Sequence, residues 1–531
     1  MIRRCAPALA LSALVVASSA KAQSTAPVWF HDSGSEGWVP RTVAIGTRGT
    51  QAIAQFGPFN DFTRFFSGYA NGASSAVWEH TDTQTTYSHR VAASDRADVY
   101  ATLHEVQSAI PNTRSLLLRR YSCTSSAPLW TATLATATNG GTFFGLRVSR
   151  DGQRIVTLVH NSATNKADMS VFGPSSPFPI TTASAYVGGA CVAMDLSADG
   201  RKLAMVSDLR VAVFDTTTGV VDLNVTPFET LAPTVAISGD GNLVSYGTYG
   251  ACRAYERIAG QYQLRFSRVE PSNFYCAAVD LSDDGRTLVA AYNMANVANE
   301  FLTVDVEAYD MPSSLSTGAA QRTMHGVVTA TGTLQNLVAD LSCSADGGVF
   351  ALGVWGDASG PCPEVLVYKR DQDAPVLTDS LSGSVMDLDL SADGHRLVVG
   401  SKSVHANILG SGGRVAMYEF TAGDLAISGV PKLGSSIRVT LRGTPFTAVQ
   451  LFKSNFPAVT PLPIGTLGLL YLKRSGITTI PMPPFDANGV STLDLPLGST
   501  QYGVGQSIYL QSLMSTPRRL SLDWAQVTVL P

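Results

Sequence analysis

Charge is scarce in this chain. Asp, Glu, Lys and Arg make up 15% of its 531 residues, and the net formal charge is −4. No long basic or acidic run occurs, so the electrostatic footprint that nucleic acid or an anionic membrane requires is missing. Local signatures of chemistry are missing too. No G-x-S-x-G elbow offers a nucleophile. The eight histidines, His31, His80, His89, His104, His160, His325, His395 and His405, form neither H-x-H nor H-E-x-x-H, which excludes a local zinc site. Neither a phosphate loop nor a dinucleotide fingerprint is present. His104-Glu105 reads as a solvated strand end. No sortase motif or terminal hydrophobic anchor closes the chain.

Long apolar runs are limited to one, at the start. Arg3 and Arg4 precede the apolar stretch Ala6 to Ala17, and Ala20-Lys21-Ala22 places small residues before Gln23. This is the layout of a secretory signal, 1–22, too short for a membrane span. Cys5 lies too early to anchor a lipid. The expected product is an exported chain, periplasmic, cell-surface or extracellular, with no membrane span. Its remaining cysteines, Cys123, Cys191, Cys252, Cys276, Cys343 and Cys362, are even in number, which permits disulfides in an oxidising compartment. Cys252 opens a third strand and Cys276 the first strand of the next repeat. Both fall on one face, so a Cys252–Cys276 disulfide is expected, with isolated buried thiols as the alternative.

What the chain has in abundance is a repeat. Leu196-Ser197-Ala198-Asp199-Gly200-Arg201 returns as Leu281-Ser282-Asp283-Asp284-Gly285-Arg286 and as Leu390-Ser391-Ala392-Asp393-Gly394. Weaker copies are Val148 to Gly152, Ile237 to Gly241 and Ser344 to Gly347. Their glycines are 48, 41, 44, 62 and 47 residues apart, the scale of a four-stranded propeller blade. Residues 296–324 can supply the loop that lengthens the fourth interval. Degenerate copies at Val43 to Gly49 and Val91 to Arg96 bring the candidates to eight. Each copy predicts a hairpin: Ser and Asp bond the local backbone, and Gly takes the left-handed position that closes the turn. Apolar alternation flanks the turns, and third strands end in aromatics, as in Val211 to Phe214, Val365 to Tyr368 and Val415 to Tyr418.

S-x-D-G followed by a strand resembles the first hairpin of blades in the WD-repeat and YVTN-like β-propeller superfamily, over about residues 43–420. The Trp-Asp ending of true WD repeats is absent; these blades end in Phe214-Asp215, Tyr255-Glu256, Tyr309-Asp310 and Tyr418-Glu419. The resemblance implies an all-β, eight-bladed propeller over 23–422, seven-bladed if Val43–Phe56 opens no blade. Val28–His31 is the expected outer strand of the last blade, because Val415–Phe420 would otherwise be left as an edge.

The pattern changes near Gly423. Val430-Pro431-Lys432-Leu433-Gly434, Asp486-Ala487-Asn488-Gly489 and Ile508-Tyr509-Leu510-Gln511 belong to short alternating strands with Pro and Gly at the joints. They predict a small β-sandwich over 423–531. These phrases resemble a C-terminal module common in exported proteins of planctomycete and myxobacterial type.

One constellation could carry chemistry. Asp195, Asp280, Asp340 and Asp389 occupy equivalent places in first strands, each before a Leu, and first strands line a propeller's channel. Arg147 holds the same place in another repeat. Four inward carboxylates would suit a divalent cation such as calcium. The competing reading has each Asp bonding the backbone of the neighbouring blade. Asp199, Asp284 and Asp393 are turn formers. Trp355, near the loop face with Cys362, could stack on a sugar or peptide, or simply pack. Two functions remain: a non-enzymatic exported propeller that binds a protein or polysaccharide partner through loops and channel, or a propeller enzyme of lactonase or hydrolase type with a site assembled from separate loops.

Overall fold

A computed structural model describes the chain from Gln23 to Leu530, apart from residues 25, 34–37, 47–50, 59–63, 71–74, 83–85, 95–98, 108–112, 139–143, 228, 230, 272, 297, 299, 331–334, 358–361, 371, 393, 395, 406–411, 420–424, 443–445, 464–468, 487–489 and 516–517. The expected leader, 1–22, lies outside the described residues, as do Gly49, Arg96 and Asp393 of the expected turns.

The repeats fold as antiparallel meanders of four strands. Sheet one opens with Trp38–Gly46, sheet two with Thr86–Ala93, sheet three with Phe144–Val148 and sheet four with Cys191–Leu196. Sheet five opens with Leu231–Ile237, sheet six with Phe274–Leu281, sheet seven with Val338–Cys343 and sheet eight with Val385–Leu390. These opening strands touch in order around a circle, and the strand of sheet eight returns to that of sheet one. The arrangement is a β-propeller. Closure follows the expected route. Trp29–Asp32 becomes the outer strand of sheet eight, pairing Trp29 with Met417 and Asp32 with Arg414. Gln23–Ser24 adds a short parallel strand to the rim of sheet seven.

The turns work as their residues predict. Gly200 lies at φ 69°, and its N–H donates to Ser197 O at 2.8 Å. Asp199 Oδ1 accepts from Ser197 Oγ at 2.8 Å and from Arg201 N at 3.0 Å. Ser197 Oγ also accepts from Lys202 N. The same geometry recurs at Asp151, Asp240, Asp284 and Asp346.

Apolar side chains fill the gaps between neighbouring sheets rather than one central mass. Val206 and Val213 of sheet four meet Val235 and Tyr246 of sheet five. Trp29 and Met417 of sheet eight meet Ala54 and Phe56 of sheet one. At roughly 25 cal/mol per Å² of apolar surface, these interfaces are the principal favourable term. The long interval in sheet six is taken up partly by a helix, Met311–Thr317, capped by Asp310, whose carboxylate accepts from Ser313 N.

Residues from Leu425 onward form separate sheets. Leu425–Ser428, Ser436–Arg442 and Val490–Pro496 make one; Thr478–Pro481, Val449–Ser454, Ser507–Ser515 and Arg518–Thr528 make another. Ile437, Val439 and Leu441 of the first share a core with Leu451, Ile508 and Leu510 of the second. Of the expected D-A-N-G turn, 487–489 lie outside the described residues. This unit rests on the turn end of the propeller, where Arg286 donates to Thr528 Oγ1 at 2.8 Å and Lys432 Nζ lies 3.7 Å from Asp199.

Candidate functional site

An opening strand has a sheet partner on one side only, so every second N–H on its other edge lacks a strand to bond. The channel aspartates answer that need. Asp195 of sheet four accepts from Ile237 N of sheet five at 2.9 Å. Asp280 of sheet six accepts from Cys343 N of sheet seven at 2.7 Å, and Asp389 of sheet eight from Ile45 N of sheet one at 2.8 Å. A second tier lies one step deeper. Asp340 accepts from Leu388 N at 3.2 Å, Asp387 from Val43 N at 2.7 Å, and Thr234 Oγ1 from Val279 N at 2.8 Å. Each acceptor thus clasps the next sheet.

The two tiers correct one expected equivalence. Asp195, Asp280 and Asp389 stand two residues before the turn serine, but Asp340 stands four before Ser344. Its cross-strand partner is Gly353, as Gly400 is for Asp387. Asp340 therefore matches Asp387, and Ser342, whose Oγ accepts from Leu390 N at 3.1 Å, fills the Asp389 place in sheet seven. The turn serine sets the phase of the strand, and a local Asp-Leu match does not. Asp387 was legible by that rule and was missed.

Burial pushes these acids up. Asp280 is raised well above the usual carboxylate range by burial and by the charge of Asp195. Asp387 is raised well above it by burial and the adjoining Asp340. Burial also raises Asp340 and carries Asp389 up to about 7. Each of the four expected ligands gives at least one oxygen to a backbone amide. Among the described residues, the group of three acids or histidines whose ligand atoms all lie within 4.8 Å is Asp305, Glu307 and His325, on outer strands of sheet six. That group is an ion-pair network. Glu307 takes Arg268, Arg322 and Tyr309, and His325 Nε2 lies 3.0 Å from Asp305.

The channel encloses a cavity of about 610 Å³. At the turn end it is cinched by main-chain bonds that pass from sheet to sheet: Gly239 N to Asp283 O, Asp283 N to Ala345 O and Ala345 N to Ala392 O, each 2.9 Å. Arg150 of sheet three crosses this end to sheet six and binds Asp283 with two nitrogens, at 2.7 and 2.9 Å. Gly239 is required there, since a Cβ would stand 2.8 Å from that of Asp283.

Charge is segregated around the cavity. Arg41, Arg90 and Arg147 line it from sheets one, two and three; the aspartates line it from sheets four, six, seven and eight. At one boundary Arg147 Nε lies 3.6 Å from Asp195 Oδ1, and the arginine side chain keeps 45% of its surface exposed. Arg147 stands two residues before its turn serine, whereas Arg90 stands four before Ser94, in the deeper tier.

Cys252, Cys276, His104 and Trp355 do not line this cavity. Cys252 and Cys276, expected as a disulfide, are free buried thiols, as are the other four described cysteines. They share a hydrogen bond inside the cluster between sheets five and six, packed there as small apolar groups. His104 and Glu105 are buried rather than solvated, because their strand is flanked on both sides, and His104 packs 6.0 Å from the Phe66 ring. Trp355 is half-buried, with Lys402 Nζ 5.9 Å from its ring and its carbonyl accepting from Ser384.

No family model matches the sequence, and no curated protein matches it. Among solved structures, the chain is similar to the β-propeller domain of Cps50 (Swd1) of Myceliophteria thermophila, with 10% identity and a TM-score of 0.40 over 58% of this chain and 94% of that one.

Proposed function

We propose that this chain is an exported, non-enzymatic binding protein: an eight-bladed propeller followed by a β-sandwich, which takes a protein or polysaccharide partner on its loop face around the channel mouth. The observation that carries this reading is the difference between the two ends. The turn end is cinched and bears the C-terminal unit. The loop end presents exposed Tyr186, Leu209, Tyr249 and Val269 at the ends of second and fourth strands. Tyr249 packs on Tyr275, ring centroids 4.6 Å apart, and Arg210 lies 5.7 Å from the Tyr186 ring. Tyrosines and an arginine held this way are the usual anchors of a partner surface.

The test is a retention assay on neutral and acidic polysaccharides and on surface-protein fractions, with wild type and a Leu209→Asp/Tyr249→Ala variant of unchanged circular dichroism. A partner held by wild type and released by the variant is expected. Equal retention by both would place the partner elsewhere. In an oxidising compartment the touching Cys252 and Cys276 become a disulfide. An intact mass of exported protein two hydrogens below that of reduced protein checks this, and the reduced mass would refute it.

A further inference from the structure

We propose that the channel cavity binds a small zwitterion, an amino acid or short peptide, with its carboxylate against Arg41, Arg90 and Arg147 and its ammonium against the aspartates of sheets six to eight. This goes beyond the loop-face reading and stands separately from it, since it concerns the interior of the ring.

Three facts support it. The cavity, about 610 Å³, falls within the size range of small-ligand sites. Its charges are sorted rather than alternated, with cations on three consecutive sheets and carboxyls on the far arc. Interleaved charges would cancel locally; sorted groups leave a field across the cavity once acids of the far arc ionise, as Asp389 does above about 7, and a dipolar ligand aligned with it is favoured at both ends. Finally, Arg147 does not repeat the clasping job of the aspartates. A guanidinium is a donor only, so it cannot accept the neighbouring strand's N–H. Arg147 instead donates to Leu146 O at 3.1 Å and keeps 45% of its side-chain surface exposed. Planar guanidinium groups suit bidentate capture of a carboxylate.

The ligand's ammonium meets Asp280, Asp340, Asp387 and Asp389, which line the cavity. Burial and the charge of Asp340 raise Asp389 to about 7, while Arg150 and Arg147 pull it down. Asp387 and Asp340 adjoin it. Binding is therefore measured at pH 8, where Asp389 is mostly ionised.

The experiment is calorimetric titration of the full chain with four probes: glycine, triglycine, N-acetyl-triglycine amide and acetate. Triglycine, glycine or both should bind, and which of them binds more tightly tells peptide from free amino acid. The capped peptide and acetate should bind at least about tenfold more weakly, a difference near 1.4 kcal/mol. Arg147→Gln should weaken the zwitterion at least about tenfold while leaving the melting temperature unchanged. Arg90→Gln gives a second reading should Arg147→Gln perturb folding. Acetate binding as tightly as the zwitterions would reduce the site to an anion pocket and overturn the proposal. So would capped peptide binding equally well, or no heat from any probe at about tenfold above a millimolar dissociation constant. Loss of loop-face binding in the Leu209→Asp/Tyr249→Ala variant would leave these results untouched.

Discussion

Sheets of the same ring use the same strand position for different ends. In sheets four to eight an acceptor at the channel, usually Asp, holds the next sheet by its backbone: Asp195 to Ile237, Asp280 to Cys343, Asp389 to Ile45. In sheet three the matching residue is Arg147, which donates to its own strand and reaches toward Asp195. A repeat therefore offers its innermost position either to the scaffold or to the cavity, and acceptor chemistry decides which. Where the residue accepts, it is spent on architecture. Where it only donates, as Arg147 does, it turns to its own strand and to the neighbouring Asp195.

The comparison breaks most sharply where the ring closes. Asp387 and Asp389 clasp Val43 and Ile45, joining the last repeat to the first. A double Asp387→Ala/Asp389→Ala variant leaves two amides without their acceptors, each costing about 1–3 kcal/mol. Urea unfolding should show the largest loss of any channel variant. A loss no greater than that of Arg147→Gln would mean that the acidic arc does not clasp. Next in size is Gly239→Ala. Its Cβ would press on Asp283 at 2.8 Å, in a ring of main-chain bonds with no slack, for roughly 1–3 kcal/mol. An unchanged midpoint would show that the turn end is not cinched.

Legibility in the sequence followed the same division. The S-x-D-G phrase announced the turns, because Ser, Asp and positive-φ Gly each do a local job that leaves a local trace. Asp387 and the Asp340 register went unread because they depend on phase counted back from the turn serine rather than on the neighbouring Leu. The sorting of Arg41, Arg90 and Arg147 onto one arc left no trace at all in any single repeat. It exists only once the chain has closed on itself and the order of sheets has become a position in space. His104 failed for a related reason: its polar pair suggested solvent, but burial in a propeller is set by a strand's place within its sheet.

Protonation offers a milder way to sharpen the contrast. Asp280, Asp340, Asp387 and Asp389 are all raised by burial, Asp389 to about 7. In the unfolded chain an Asp titrates near 3.9. Between those values the folded state holds the extra protons, so this stabilisation is full below about pH 4 and is lost as pH rises through 7. The melting temperature should fall from pH 5.5 to pH 8. Asp389→Asn should flatten part of that fall, since Asn still offers an acceptor to Ile45 N but does not ionise. An identical slope in the variant would remove Asp389 from the account. A melt that drops on adding chelator would instead return the carboxylates to the role of cation ligands.

The smallest expected effect is the most discriminating. Arg147→Gln removes a channel cation that donates to its own strand rather than accepting from the next sheet. Its side chain is nearly half exposed and its ion pair is loose, 3.6 Å, the kind of interaction that contributes little in double-mutant cycles. Stability should stay within about 0.5 kcal/mol of wild type, measured by the same urea titration that shows the large loss at Asp387 and Asp389. A destabilisation of the size predicted for those aspartates would make Arg147 a structural tie like them, and the two arcs would then be one device built from opposite charges. A silent Arg147→Gln beside a crippled Asp387→Ala/Asp389→Ala leaves Arg147 with no structural employment. Its place at the channel of a chain this poor in charge then fits the capture of a ligand carboxylate.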